Sequence, residues 1–208
     1  AAILNDLFYF IAFKLTTIAN ATLAHYTMPV FIAIIAPFLL KEKFKKQYVV
    51  PIAISFTGLV LILFQGLSLQ GLSGVIFGLA SGVMYALIII FYKKALKNNT
   101  VYTVNTYRFL ISSAILMPIF FIGSPAITYL SMMPLAAFGI IFGIAAVSLH
   151  TEGIKRLKAN EAGIIGYVEP FAAVTYAIIL LSEVPTLHTV AGGLLIIGGA
   201  YMLIRNAK

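Results

Sequence analysis

The chain has 208 residues, 62% of them hydrophobic and 10% charged, and its mean hydropathy of +1.05 exceeds what a soluble domain of this size can bury. The absence of cysteine excludes disulfides, thiolate metal sites and a cysteine nucleophile. The net charge of +8 does not indicate a nucleic-acid partner, because the basic residues lie between apolar runs rather than on a soluble surface. This composition indicates a polytopic membrane protein.

Nearly uncharged runs of about 20 residues, the length of a helix that crosses the hydrocarbon layer, recur along the chain. Several contain proline or repeated glycine, which membrane helices tolerate when their neighbours satisfy the freed backbone groups. We predict an all-α membrane protein with eight spans. They are Ile3–Leu15, which is short for a span, Ile18–Leu40, Tyr48–Phe64, Leu72–Tyr92, Val104–Ile122, Pro134–Ile154, Ala159–Leu181 and Leu187–Ile204.

Most basic residues lie in every second connection between these spans. Of the 14 basic residues, 12 fall in alternate connections or at the C-terminus, while Lys14 lies at the end of the first span, beside one of the other connections, and Arg108 lies inside a span. The positive-inside rule therefore predicts that the connections rich in lysine and the C-terminus are cytoplasmic. The run Lys41–Lys46 is expected to lie on anionic lipid.

One segment of the chain occurs twice. Tyr26–Glu42, YTMPVFIAIIAPFLLKE, matches Tyr167–Glu183, YVEPFAAVTYAIILLSE, with Pro29 falling on Pro170. The match continues without a gap on both sides of the segment, with Lys14 on Lys155, Gly58 on Gly199 and Leu63 on Ile204. Five predicted crossings separate the two prolines, so the copies run in opposite directions. Inverted repeats of this kind build many secondary transporters.

The repeat predicts how much of each copy is present. The counterpart of the span that starts at Pro134 would begin about seven residues before Ala1, and the spans Leu72–Tyr92 and Val104–Ile122 have no counterparts. We therefore expect residues 1–66 to hold the last three spans of a first five-helix repeat and residues 67–208 to hold a complete second repeat. The eight spans would then belong to a ten-span parent that is truncated at its N-terminus.

Glycines four residues apart occur in two spans. Gly74, Gly78 and Gly82 have this spacing in the fourth span, and Gly139 and Gly143 repeat it in the sixth. Small residues at this spacing let helix backbones approach closely. We predict packing within the chain at these glycines, with homodimerisation as the alternative.

Pro29 and Pro170 are predicted to kink their helices. Each lacks an N–H group, which leaves the carbonyl groups of His25 and Gly166 without their usual donors. Such a carbonyl group can bind a side chain, water or a substrate ammonium, as in the broken helices of transporters. A kink that serves packing alone is the alternative.

Glu169 is the most costly residue of the sequence to place in a membrane, because it lies near the middle of a span. A carboxyl group there is expected to face a cavity or a partner and to bind substrate or a proton. Tyr167 lies beside it, and Tyr176 lies two turns further along the same predicted helix face. A packed, protonated glutamate is the alternative.

Other polar and aromatic residues are candidates for the same cavity. His25 and Tyr26 neighbour the first predicted kink, while Tyr85 and Tyr107 offer ring faces for a planar or cationic solute. A core histidine with satisfied hydrogen bonds and ordinary packing of the tyrosines are the alternatives. Arg108, one turn inside its span, is expected either to bind a substrate carboxylate or to extend to the interface. His25, His150 and His188 lack the spacing of a metal pair, and no nucleotide-binding loop or catalytic grouping occurs, so we expect no metal, cofactor or enzyme activity.

Three runs of sequence carry a resemblance to a known family. They are AGIIGYVEPFAAVTYAIILLSEVPTLHTVAGGLLIIGGAYMLI, ATLAHYTMPVFIAIIAPFLLKEKFKKQYVVPIAISFTGLVLIL and RFLISSAILMP, which begins with Arg108. Together with the inverted repeat they resemble the drug/metabolite transporter superfamily, EamA type, over essentially the whole chain. The resemblance implies a secondary transporter, often an exporter of amino acids, nucleobases or other small amphiphiles, with a central cavity between its helices.

We therefore expect a carrier of the prokaryotic inner membrane that moves a small organic solute by alternating access. Its coupling would be to a proton or to the solute gradient, and export is favoured over uptake. Two alternatives remain open at this point. The first is a flippase for a lipid or lipid precursor, and the second is a non-transporting membrane scaffold that packs through its glycine faces.

Overall fold

The computed structural model describes residues 1–41, 46–63, 71–123, 129–181 and 186–207, and all the regular elements within them are helices. The all-α fold predicted from the sequence is therefore confirmed for these residues. The α-helices are α1 (Ala2–Leu15), α2 (Ile18–His25), α3 (Met28–Leu40), α4 (Val49–Leu63), α5 (Leu72–Ala95), α6 (Val101–Gly123), α7 (Tyr129–Phe138), α8 (Val147–Arg156), α9 (Ala159–Ile165), α10 (Val168–Leu181) and α11 (Leu187–Ala207). A 3₁₀ turn (Lys46–Tyr48) precedes α4, and a π-helical segment (Gly139–Ala146) joins α7 to α8.

Three helical segments among the described residues, the first of them interrupted by a two-residue turn, are long and apolar enough to cross a membrane. They are Ile18–Leu40, Leu72–Ala95 and Met132–Arg156, with 23, 24 and 25 residues. At a rise of about 1.5 Å per residue each exceeds the roughly 30 Å of the hydrocarbon layer. Two shorter apolar helices cover Lys46–Ile62 and Leu187–Met202. The count of eight spans stays a prediction.

Several predicted features lie outside the described residues. They are the glutamates that end the two copies of the repeated segment, Glu42 and Glu183, the last residue of the third span, Phe64, and the boundary expected between residues 66 and 67.

The chain forms two compact units. The first comprises Ala1–Ile90 with Ala159–Lys208, and the second comprises Phe91–Lys158. In the first unit α4 and α11 pack along each other, and the buried core beside them contains Tyr26, Met28, Leu59, Tyr167 and Ile196.

The helix that was predicted to kink at Pro29 is broken one turn earlier. Helix α2 ends at His25, the Tyr26 N–H donates to the Thr22 carbonyl group (2.9 Å), and α3 begins at Met28 with Pro29 in its first turn. A proline is well tolerated there, because the first N–H groups of a helix lack partners within it. Two helices therefore meet at this point instead of one bent helix.

The second copy has the same break. Helix α9 ends at Ile165 and α10 begins at Val168, so Pro170 also lies in a first turn. The carbonyl group of Gly166, predicted to be open, accepts the Glu169 N–H at 3.1 Å. The tight turn before α10 thus supplies the donor that proline cannot.

The glycines of α5 lie against α2 and the residues before it. A Cβ atom added at Gly78 would lie 2.7 Å from the Ala24 Cβ, and one added at Gly82 would lie 2.7 Å from the His25 carbonyl oxygen. Gly74 approaches Thr16 in the same way, at 2.6 Å. These spacings leave no room for a side chain between the two helices.

Gly139 and Gly143 differ from the glycines of α5, although their spacing is the same. Among the described residues, no atom lies within 4 Å of a Cβ built at either position. Both belong to the π-helical segment, which has no buried residue. The packing predicted for this pair is not present in the described part of the chain, because the spacing permits a close approach but does not supply a neighbour.

Candidate functional site

Polar and aromatic side chains from four helices meet in the first unit, at the break between α2 and α3. We call this group the central cluster. Its members are Asn5 and Tyr9 of α1, His25 and Tyr26 at the end of α2, Ser81 and Tyr85 of α5, and Tyr167 and Glu169 at the break before α10.

A buried hydrogen-bond network fixes the imidazole ring of His25. Its Nδ1 atom lies 2.8 Å from the Ser81 hydroxyl oxygen, and the Asn5 amide nitrogen donates to that hydroxyl and to the Ser81 carbonyl group, both at 3.0 Å. The Ser81 hydroxyl donates to the Asn5 carbonyl group at 3.1 Å. A hydroxyl has one hydrogen, so Nδ1 of His25 is the donor to Ser81 when that hydrogen is bonded to the Asn5 carbonyl group, and the acceptor when it is not.

Aromatic rings surround the same histidine. The ring of Tyr9 stacks on His25 with centroids 4.4 Å apart, and the rings of Tyr26 and Tyr85 each approach it edge-on at 5.3 Å. The Tyr9 hydroxyl donates to the Thr22 hydroxyl at 3.3 Å. Offset and edge-to-face contacts of this kind stabilise aromatic clusters beyond their buried area.

The two tyrosines of the repeated segment contact each other directly. The rings of Tyr26 and Tyr167 stack with centroids 6.2 Å apart and an angle of 29° between their planes. The Tyr167 hydroxyl donates to the Tyr26 carbonyl group at 2.9 Å, and both side chains are buried. This bond joins the breaks of the two copies.

Glu169 lies at the edge of the cluster. Its carboxyl group lies close to the Tyr26 hydroxyl and to Tyr9. The residue itself is exposed. An exposed carboxyl group near two tyrosines is suited to bind a proton or an organic ammonium group.

The structure brings together five of the eight predicted site residues: His25, Tyr26, Tyr85, Tyr167 and Glu169. Tyr176 does not join them, because its side chain is 63% exposed on α10. Tyr107 and Arg108 belong to the second unit, where Tyr107 is 64% exposed.

Sequence reasoning missed several polar residues that the structure places in buried positions. Asn5 and Ser81 are polar residues within otherwise apolar helices, and this position in the sequence could have indicated that they have buried partners. Glu161 is also buried, and its carboxylate accepts a hydrogen bond from the Tyr48 hydroxyl at 3.2 Å. Among the described residues, no group of three or more metal-ligating side chains occurs.

Comparison with known proteins gives consistent results. The model of the EamA-like transporter family matches residues 1–64 and 72–205. An uncharacterized transporter of Archaeoglobus fulgidus is 27% identical over 198 residues, which cover 95% of this chain and 71% of the relative. An uncharacterized transporter of Clostridium kluyveri is 27% identical over 203 residues, which cover 93% of this chain and 65% of the relative.

The uncharacterized transporter YyaM of Bacillus subtilis is 24% identical, with 91% of this chain and 66% of the relative covered. The chain thus spans about two thirds of the length of these relatives. A crystal structure superposes with a TM-score of 0.78 at 23% identity and covers 95% of this chain and 72% of the other, a likeness that concerns the fold.

Proposed function

The chain belongs to the EamA-like transporter family. From that membership we propose that it functions as a secondary transporter, which moves a small organic metabolite by alternating access. Membership confirms the resemblance drawn from the sequence and identifies an integral membrane transporter in general terms. The proposed substrates are amino acids, nucleobases or similar amphiphiles, with export as the direction.

The proposed architecture is an inverted repeat. The offset of 141 residues between Tyr26 and Tyr167 also relates the helices, since α2 and α3 correspond to α9 and α10, with their breaks at equivalent positions. Helix α4 corresponds to α11 in the same way. Two copies of one unit facing opposite sides have two conformations of similar energy, which alternating access requires.

The contact between α4 and α11 carries this proposal. In a pair related by a two-fold axis, every contact has a counterpart in which the two copies exchange roles. A Cβ at Gly58 would lie 2.5 Å from the Gly192 carbonyl oxygen. The equivalent of Gly58 is Gly199 and that of Gly192 is Pro51, and a Cβ at Gly199 would lie 2.9 Å from the Pro51 carbonyl oxygen. This reciprocal contact between antiparallel helices supports the inverted repeat.

Tyr26 and Tyr167 are each other's equivalents, so their stacked rings would lie on the two-fold axis. Their hydrogen bond breaks the symmetry, because the Tyr167 hydroxyl donates to Tyr26 while the Tyr26 hydroxyl faces Glu169. In the alternate conformation the Tyr26 hydroxyl would donate to the Tyr167 carbonyl group instead. A proton or an ammonium group bound at Glu169 would compete for the carboxylate and release Tyr26 for this exchange.

The proposed orientation places the connections rich in lysine and the C-terminus in the cytoplasm. Tyr48 follows the basic connection after α3, and Glu161 follows the basic connection before α9. The hydrogen bond between their side chains supports the location of both connections at one membrane face.

Flux through proteoliposomes tests the proposed function. We expect the reconstituted protein to give saturable, protein-dependent uptake of at least one labelled amino acid, nucleobase or amine. A thermal unfolding measurement checks that the reconstituted protein is folded. Absence of saturable flux across such a panel for the folded protein would contradict a metabolite carrier. Transfer that depends on the lipid headgroup would indicate a flippase instead.

A further inference from the structure

A second group of buried and half-buried polar side chains lies in the second unit, where the end of α5 meets α6 and α8. We call it the Arg108 site, and it consists of Tyr92, Asn105, Arg108, Ser148 and Thr151. The Thr151 hydroxyl donates to the Asn105 side-chain oxygen at 3.1 Å, and the Asn105 amide nitrogen lies 3.4 Å from the Ser148 hydroxyl. Asn105 and Thr151 are buried.

The hydroxyl group of Tyr92 in this site has no hydrogen-bond partner among the described residues. It is buried and faces Arg108 and Thr151, yet it makes no hydrogen bond of ordinary geometry to any described residue. Buried hydroxyl groups in native proteins nearly always have a partner. A bound group with an acceptor atom would supply one.

The guanidinium group of Arg108 also lacks an acidic partner. Its Cζ atom lies 5.8 Å from the ring centroid of Tyr92 and 5.7 Å from that of Phe109, and it forms no ion pair with a described residue. Arginine keeps its charge in proteins, and a charge within an apolar helix is stabilised by a counter-ion or a wet cavity. The ring contacts orient the guanidinium group, and no described residue supplies a counter-ion for its charge.

The second unit has no acidic residue available to neutralise Arg108. Between residues 91 and 158 the sequence contains seven basic residues and one acidic residue, Glu152. The Glu152 carboxylate binds the Arg156 guanidinium group at 2.8 Å. An excess of one charge sign attracts ligands of the opposite sign, so the site is suited to an anion.

We propose that the Arg108 site binds the carboxylate of a small organic anion. The two carboxylate oxygens accept hydrogen bonds from the planar fork of Arg108, the geometry in which arginine binds carboxylates most tightly. One oxygen also accepts the hydroxyl hydrogen of Tyr92. The ring of Tyr92, with its centroid 5.8 Å from the Arg108 Cζ atom, helps to hold the guanidinium group in place. The proposal depends on the second unit alone and stands apart from the proposed transport.

Chemical modification of arginine locates the binding directly, because the chain contains three arginines, Arg108, Arg156 and Arg205. The purified protein, in neutral detergent without anionic lipid, is treated with phenylglyoxal at constant ionic strength, and each arginine is followed by mass spectrometry. We expect sodium benzoate to protect Arg108 but not the exposed Arg156. The neutral isostere benzamide is expected to protect neither.

Two variants separate recognition from folding. Tyr92→Phe keeps the ring and removes the hydroxyl, and we expect about tenfold weaker protection by benzoate, as for a lost hydrogen bond to a charged group. Tyr102→Phe removes an exposed hydroxyl on the same helix as Arg108 and is expected to leave protection unchanged. Equal protection by benzoate and benzamide, or unchanged protection in Tyr92→Phe, would overturn the proposal. Protection by phosphatidylglycerol micelles but not by benzoate would also overturn it, because the site would then bind lipid headgroups.

Discussion

Adjacent glycines of α11 provide a matched test of the crossing between α4 and α11. A methyl group at Gly199 would lie 2.9 Å from the Pro51 carbonyl oxygen and 3.2 Å from the Ser55 backbone nitrogen, and it would also meet the Ser55 hydroxyl. At Gly198 no atom lies within 4 Å of a built Cβ among the described residues. Replacing each glycine by alanine therefore adds the same methyl group to a filled space and to an open one.

An added methyl group has two effects on stability, a gain in helix propensity and a cost of overpacking, and these have opposite signs. Alanine favours a helix over glycine by about 1 kcal/mol, so Gly198→Ala is expected to raise the free energy of unfolding by up to that amount. At Gly199 the same gain is opposed by overpacking against backbone atoms that cannot rotate away, which costs about 1 to 3 kcal/mol. Gly199→Ala is therefore expected to be less stable than Gly198→Ala by about 1 to 3 kcal/mol.

Thermal unfolding of both variants in one detergent measures this difference. For a chain of this size we expect an apparent Tm separation of about 2 to 4 °C per kcal/mol, with Gly198→Ala at or above the unsubstituted protein and Gly199→Ala below Gly198→Ala. Equal Tm values for the two variants, or a lower Tm for Gly198→Ala, would refute the close crossing and with it the main support for the inverted repeat.

Three further predictions concern the central cluster. Tyr167→Phe and Tyr26→Phe should shift the ratio of the two access states in opposite directions, each by about fivefold, which is the effect of one typical hydrogen bond. Labelling of single cysteines from the two membrane faces measures this ratio. A shift in the same direction for both variants would contradict the exchange of hydrogen bonds. Glu169→Gln removes the carboxylate that faces Tyr26 and should abolish the pH dependence of flux, so an unchanged pH profile eliminates Glu169 as the proton site. Ser81→Ala leaves Nδ1 of the buried His25 ring without its hydroxyl partner, while the Asn5 amide keeps its bond to the backbone carbonyl group at position 81; the free energy of unfolding should fall by about 1 to 3 kcal/mol, and an unchanged midpoint in denaturant titration would contradict the network.

The parts of the site that depend on the repeat could be predicted from the sequence. Tyr26 and Tyr167 hold equivalent positions in the two copies, and equivalent positions near a two-fold axis lie close together. The glycine spacing of α5 likewise indicated a close approach to another helix. It did not indicate which helix, and the same spacing at Gly139 and Gly143 lies among exposed residues.

The remaining parts depend on side-chain direction and on contacts distant in sequence. Successive residues of a helix point about 100° apart, so composition alone did not separate Tyr107, which is exposed, from Asn105, which is buried two residues earlier. Asn5 and Ser81 form a pair only because α1 and α5 pack together. The prolines indicated a change of helix direction, but the backbone bonds at the turns, such as that from the Glu169 N–H to the Gly166 carbonyl group, distinguish a break from a kink.

Alternating access is tested most directly by labelling one cysteine from both faces of the membrane. The chain has no native cysteine, and Val168, which is 42% exposed between Tyr167 and Glu169, accepts the substitution Val168→Cys. We predict that a membrane-impermeant maleimide reacts with this cysteine in vesicles of either orientation. A transported solute should raise the reaction rate from one face and lower it from the other. Reaction from a single face, unchanged by any solute that the protein transports, would contradict alternating access.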